Sequence, residues 1–193
     1  MSPGGHLVTT MVAAAGAVAV SGGAPPAATV SLAAGIVAGG FLIDVDHFVD
    51  YVLVERQRDL HPRAFLRYYL GGQVRRTVLA LHSYELFALL GALAWWLDPL
   101  PLWGYLMGAL MHLALDVIFN GEQTPRSIAA FYSFGYRLAH RFDSRALLGP
   151  MNDRTVPTPF WTAFFTGAQM SASLRAMRRG RASVRAETDR PVA

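Results

Sequence analysis

The sequence predicts an all-α protein: a four-span transmembrane helical bundle with additional interfacial helices. Three observations predict it. Of 193 residues, 53% are hydrophobic and only 16% charged, with a mean hydropathy of +0.30, richer in apolar residues than a soluble domain ordinarily is. Four stretches without basic residues are long enough, or nearly so, to cross roughly 30 Å of hydrocarbon, which takes about 20 helical residues. Proline-bearing turns join these stretches in pairs.

The stretches are residues 7–24, 27–43, 77–97 and 102–119. Pro25-Pro26 joins the first to the second and Asp98-Pro99-Leu100-Pro101 the third to the fourth, so each pair is expected to form an antiparallel helical hairpin. Small residues (Ala13, Ala14, Ala15 and Gly16; Gly35, Gly39 and Gly40) run through the first two, which permits close backbone approach between helices in lipid. Trp95, Trp96 and Trp103 flank the Asp98 turn as an interfacial aromatic belt would. Residues 7–20 are apolar and Ala17-Val18-Ala19 resembles a cleavage site, yet no Lys or Arg precedes Arg56. The positive region of a secretory signal is therefore missing, and the segment is expected in the mature protein.

All 17 basic residues are Arg. Arg56, Arg58, Arg63, Arg67, Arg75 and Arg76 lie in the central connection, six more lie beyond residue 174, and the two short turns carry none. The positive-inside rule then puts both termini and the central connection in the cytoplasm. This grouping fits topology and contact with membrane lipids, not nucleic acid. Residues 159–174 are expected as an interfacial or bundle-covering helix. Residues 1–175 are read as one membrane-embedded domain and residues 176–193 as an Arg-rich, disordered tail.

The ionisable residues gather on this map. His6 opens the first span, and Asp44, Asp46 and His47 close the second. His82 and Glu85 open the third; His112 and Asp116 close the fourth. All fall at the cytoplasmic end. On a helix His112 and Asp116 are about 40° apart, and His82/Glu85 and Asp44/His47 about 60°, so each pair can point inward together. Asp46, about 200° from Asp44 on a continuous helix, requires that the helix end or distort there, or that Asp46 do something else. A charge inside a span costs roughly 2.5 to 3.5 kcal/mol or more, and a cation supplies the missing partner. With no cysteine, the ligands must be nitrogen and oxygen: Zn²⁺ leads, Mn²⁺, Fe²⁺ and Mg²⁺ are admissible, and two ions are compatible with so many donors.

The order of these motifs, His6 near the start, Asp44-Val45-Asp46-His47, His82-Ser83 and His112-Leu113-Ala114-Leu115-Asp116, resembles the bacterial inner-membrane metal-dependent hydrolases, related to zinc-dependent phospholipase C. The resemblance covers roughly residues 1 to 120. It implies an all-α metal-binding fold acting on a phosphoester. Where that family commonly has a His-Arg pair about five residues before the His-Ser, this chain has Arg76-Thr77, and Glu85 is the residue expected to replace the missing ligand.

The expectation is a hydrolase of a phospholipid or other lipid-linked phosphoester at the cytoplasmic membrane face. Asp44, with Glu85, is the catalytic candidate, Asp44 receiving the water proton. His6, Asp44, Asp46, His47, His82, Glu85, His112 and Asp116 are the metal candidates, and Arg75, Arg76 or Arg126 would clamp phosphate. Two alternatives stay open. A metal or proton transporter would need polar residues through the whole membrane depth, and a metal-stapled scaffold would need a closed coordination shell.

Overall fold

The computed structural model describes residues 1–120, 127–149 and 154–170. The chain runs through α1 (Pro3–Val20), α2 (Pro26–Gly40), a 3-10 turn (Leu42–Asp44), α3 (Val45–Val49), a π-helical turn (Asp50–Val54), α4 (Pro62–Leu70), α5 (Tyr84–Leu97) and α6 (Leu100–Asn120). Short helices α7 (Ile128–Phe131), α8 (Phe134–Ala139), α9 (Ser144–Leu148) and α10 (Phe160–Thr166) follow. Strand is confined, among the described residues, to an antiparallel pair, β1 (Arg154–Thr155) and β2 (Gln169–Met170).

Local chemistry explains where the helices begin and turn. Ser2 caps α1, its Oγ accepting from Gly5 N–H at 3.2 Å with Pro3 in the first turn, and Ser83 caps α5. Asp98 ends α5 in the left-handed region (φ 48°), a conformation that Asp tolerates better than most residues. Its carboxylate accepts from Trp103 Nε1 at 2.8 Å and so ties the turn to α6.

Both expected hairpins form, α1 against α2 and α5 against α6, but the closest packing crosses between hairpins, from α2 to α6. Gly35 and Gly39 face Gly104 and Gly108 there. A Cβ on Gly39 would overlap the Tyr105 carbonyl oxygen and one on Gly108 the Ile36 carbonyl oxygen. Two interlocked small-xxx-small motifs thus bring the backbones together. The pairing sets the end of α2 beside the last turns of α6, where the polar residues lie.

The span count needs correction. Among the described residues two helices are long and apolar enough to cross a membrane, α1 and α6, and a third span results if α2 and residues 42–54, bent by 43°, count as one, so four spans are not confirmed. Helix α5, at 14 residues, rises about 21 Å, short of a bilayer core. The expected third span began at Thr77, but residues 77–83 are not helical. The first turn after Ser83 carries Glu85, and Trp95 and Trp96 stand 82% and 81% exposed at the far end of α5. The helix expected over 159–174 is shorter too: α10 has seven residues and packs on α1. Residues 176–193 lie outside the described residues.

The close α2/α6 contact predicts that Gly39→Ala and Gly108→Ala each cost about 1–3 kcal/mol of stability by overpacking. Gly91→Ala in α5, whose added methyl meets nothing within 4 Å, leaves stability unchanged or raises it. Thermal unfolding of the three variants in detergent measures the contrast.

Candidate metal centre

Four ligand atoms from three regions converge beneath α1. Asp44 Oδ1 lies 3.5 Å from the Nε2 of His47, His82 and His112 alike, and the Nε2 atoms of His82 and His112 are 3.1 Å apart. Ligands held at roughly 2.0–2.1 Å around a tetrahedral ion lie about 3.3–3.4 Å from one another, so the mutual spacings of Asp44, His82 and His112 suit a single ion, with His47 at its edge. The partners of the other ring nitrogens decide the tautomers. His112 Nδ1 donates to the Gly40 carbonyl at 2.8 Å, and His82 Nδ1 donates to Asp46, 3.1 Å from each oxygen. In the neutral rings both Nε2 atoms then carry lone pairs and face each other across a distance that only a cation or proton makes favourable.

A second group adjoins the first. His6 Nε2 lies 3.0 Å from Asp116 Oδ1, while Asp116 Oδ2 lies 3.5 Å from His112 Nε2. The His6 and His112 rings stack with centroids 3.7 Å apart. Asp116 also accepts from Tyr132 OH at 3.1 Å and Asn120 Nδ2 at 2.7 Å. Its two oxygens address the two groups separately, as a carboxylate shared between ions does. The Nδ1 atoms of His6 and His47 are buried without a hydrogen-bond partner. These buried His and Asp clusters are able to hold a metal ion.

Of the eight residues expected as ligands, His6, Asp44, His47, His82, His112 and Asp116 meet here. Asp46 stands on the Nδ1 side of His82, where its carboxylate also accepts from Leu81 N–H at 3.0 Å, and with His47 and His82 it makes a third group of donors close enough to share an ion. Both resolutions of its awkward angle occur, since the 3-10 turn interrupts the helix at Asp44 and Asp46 performs a different task. Glu85 is not brought to the site. It accepts from Ser133 Oγ at 2.6 Å and from the backbone N–H groups of Phe134 (2.8 Å) and Gly135 (3.1 Å), a negative charge at the start of α8 where free N–H groups attract it. Its pairing with His82 assumed one helix, and His82 precedes the helix. Thr77, in the position where the resembling family has His, holds Ser144 Oγ at 2.6 Å.

The expected phosphate clamps fare differently. Arg75 is exposed and its Nε binds Glu55 at 3.3 Å, and Arg76 is exposed with its backbone bridged to Asp143. Neither lines the site. Arg126 lies outside the described residues. Among the described residues the Arg that lines the cavity over the site is Arg154, which stands far along the chain from every motif.

What holds His82 in place was not visible in the sequence. Residues 75–82 run between two sets of charges. On one side Glu55 Oε1 accepts from the N–H groups of Arg75 (3.0 Å) and Arg76 (2.6 Å), Asp50 Oδ2 from those of Val78 (2.7 Å) and Leu79 (3.0 Å), and Asp46 from Leu81 and His82. On the other, the buried Arg137 guanidinium donates to the carbonyls of Leu79 (2.9 Å), His82 (3.0 Å) and Phe131 (2.8 Å). The π turn, in which Glu55 N–H donates to Asp50 O at 2.9 Å, keeps Glu55 in register with Asp46 and Asp50. A signal existed: acids at 46, 50 and 55 follow one helical row once a residue is added to the turn.

The cavity above the site measures about 670 Å³, within the range of small-molecule sites. His6, Asp44, His47, His82 and Asp116 line its polar end, and Phe65, Leu66, Leu70, Phe160 and Phe164 its apolar wall. Helices α4 and α10, which touch, form that wall. Arg63 and Arg67 of α4 are exposed, as is Trp161 of α10.

No family model, no curated protein and no solved structure matches this chain. The resemblance drawn from the motifs therefore rests on those motifs.

The acid row predicts a pH dependence. Burial opposes the charge on Glu55, but hydrogen bonds from Tyr68 OH, the Arg76 N–H and Arg75 outweigh it and hold its carboxyl below the ordinary glutamate value. A depressed native pKa contributes stability above the unfolded-state pKa of about 4.3, and that stability is lost as pH falls through the native value. Glu55→Gln is therefore expected to unfold at lower temperature than the wild type at pH 7, with the difference shrinking in acid. Unfolding midpoints in detergent from pH 7 to 3 check it.

Proposed function

We propose that the protein is an integral-membrane, metal-dependent hydrolase of a phosphoester, such as a phospholipid or a lipid-linked phosphate, at the cytoplasmic face of a bacterial inner membrane. One observation carries the reading: two imidazole lone pairs and a carboxylate oxygen lie at the spacing of one ion's ligands, and two of the three residues, Asp44 and His82, line a cavity with an apolar wall. A divalent ion held there, zinc first by the donor set, would lower the pKa of a water toward neutrality and neutralise phosphoryl charge. Asp44, His82 and His112 would hold the first ion, with His47 beside it, 3.5 Å from Asp44 Oδ1. His6 and Asp116 would hold a second.

The chain's own groups account for the rest of the chemistry. Asp44 faces the cavity with 28% of its side chain exposed and is placed to take the proton that an attacking water gives up. Asp46 and the Gly40 carbonyl orient His82 and His112 and raise their basicity as ligands. Helices α4 and α10 keep bulk water from the polar end, which strengthens every electrostatic contact there. Apolar walls beside an ionic floor suit an amphiphile, whose chain meets Phe65, Phe160 and Phe164 while its phosphate meets the His/Asp cluster. The Arg-bearing connection 51–76 supports a cytoplasmic location for the site and both termini.

The same geometry weighs against the other readings. Helices α1, α2 and α6 carry no acid or base along their remaining length, where a transporter needs a polar path. A scaffold needs a closed shell, whereas Asp44 and His47 are open to the cavity.

Purified protein is expected to carry near-stoichiometric metal by mass spectrometry, lost in His82→Ala and His112→Ala. Asp46→Asn weakens affinity about 10- to 100-fold, and Glu85→Gln retains the metal. A screen of phosphodiesters and phosphomonoesters is expected to find hydrolysis that Asp44→Asn abolishes. Metal without hydrolysis of any substrate favours the scaffold; protein that takes up no metal sinks the proposal.

A further inference from the structure

The polar groups lining the cavity beside the ligands are almost all engaged within the fold. Thr77 Oγ1 is taken by Ser144, and Tyr132 OH and Asn120 Nδ2 by Asp116. Tyr69 is different. It lines the cavity from α4, and its hydroxyl oxygen is buried with no hydrogen-bond partner. Its ring packs edge-on against the His47 imidazole, centroids 4.7 Å apart, and against Phe65 at 5.3 Å. These contacts fix the phenol beside a proposed metal ligand.

A buried hydroxyl left unpaired is costly, and native folds keep few of them without a reason. Phenylalanine would pack the same ring without that cost. The neighbouring Tyr68 shows the contrast, because its hydroxyl donates to Glu55 Oε2 at 2.6 Å and completes the acid row. The phenol of Tyr69 is neutral at pH 7 and therefore a hydrogen-bond donor, and a phosphoryl group bound at the ionic floor presents the acceptor that the fold lacks.

We infer that the Tyr69 hydroxyl donates a hydrogen bond to a phosphoryl oxygen of the substrate, making it a substrate-binding residue of the cavity. The inference rests on the phosphohydrolase reading and names the group that recognises the phosphate independently of the metal. It adds a donor on the side of α4, so that the phosphate is gripped between the ion site and the wall that also receives the hydrocarbon.

The test uses the full chain, metal-loaded in detergent, with inorganic phosphate as ligand and p-nitrophenyl phosphate as chromogenic substrate. Tyr69→Phe is expected to keep its metal content and to unfold at the wild-type temperature or above. Its affinity for phosphate, by titration calorimetry, falls about tenfold to a hundredfold, the worth of one hydrogen bond to a charged group, and any turnover falls with it. Tyr68→Phe shows the reverse, a lower unfolding temperature with phosphate affinity within twofold of wild type. Tyr69→Phe that binds phosphate within twofold of wild type overturns the inference while leaving the metal-hydrolase reading standing. Tyr69→Phe that unfolds well below wild type overturns it too, since the hydroxyl would then serve the fold. Wild-type protein that takes up no metal overturns both.

Discussion

The candidate centre depends on a short stretch of backbone that is not helical. Residues 75–82 cannot satisfy their own N–H and C=O groups as a helix does, and in a buried setting each unpaired group is costly. Asp46, Asp50 and Glu55 take the N–H groups and Arg137 takes carbonyls. This charged cradle delivers His82 from outside a helix to a point where two helical imidazoles, His47 and His112, already converge. Neither the acids nor the guanidinium would be tolerated there alone. Each neutralises the other's field across the segment between them, and Arg137 is further covered by the Phe131 ring, 5.6 Å from its guanidinium carbon.

The glycine contact between α2 and α6 carries the other half of the geometry. Because those backbones nearly touch, the Gly40 carbonyl at the end of α2 comes within 2.8 Å of His112 Nδ1. A side chain at Gly39 or Gly108 would separate the helices and take that carbonyl away. The packing that holds the two helices together therefore also selects the tautomer of His112, and helix packing and the geometry of the candidate site share one contact. Around this centre the apolar wall from α4 and α10 places hydrocarbon-compatible surface next to ionic groups. That juxtaposition is the feature on which the proposal of an amphiphilic phosphoester rests.

How much of this was legible follows from which interactions are local. Apolar runs and prolines are local, and they located α1, α2 and α6 closely. The positive-inside pattern and helix order then brought His6, Asp44, His47, His82, His112 and Asp116 to one end. Where the reading relied on a continuous helix it failed. Residues 77–83 are apolar enough to extend a span, but Ser83 caps α5 and carboxylates claim the N–H groups ahead of it, so the span shortens and Glu85 turns to α8. Asp46 was flagged as out of phase, and its phase was the sign that it serves His82 instead of pointing inward with Asp44.

The sequence by itself determined that the chain is largely helical, where α1, α2 and α6 run, and that most of the His and Asp candidates share one end of the bundle, because hydropathy and helical period are set by near neighbours. Only the tertiary structure decided which helices touch, which carboxylates face the centre and which stand behind it, and that Tyr69, Tyr132 and Arg154 border the site. Those outcomes depend on pairings between residues as far apart as Glu85 and Ser133 or His6 and Asp116. No local pattern encodes them, since a hydrogen bond across the fold is chosen by the packing that brings its partners together.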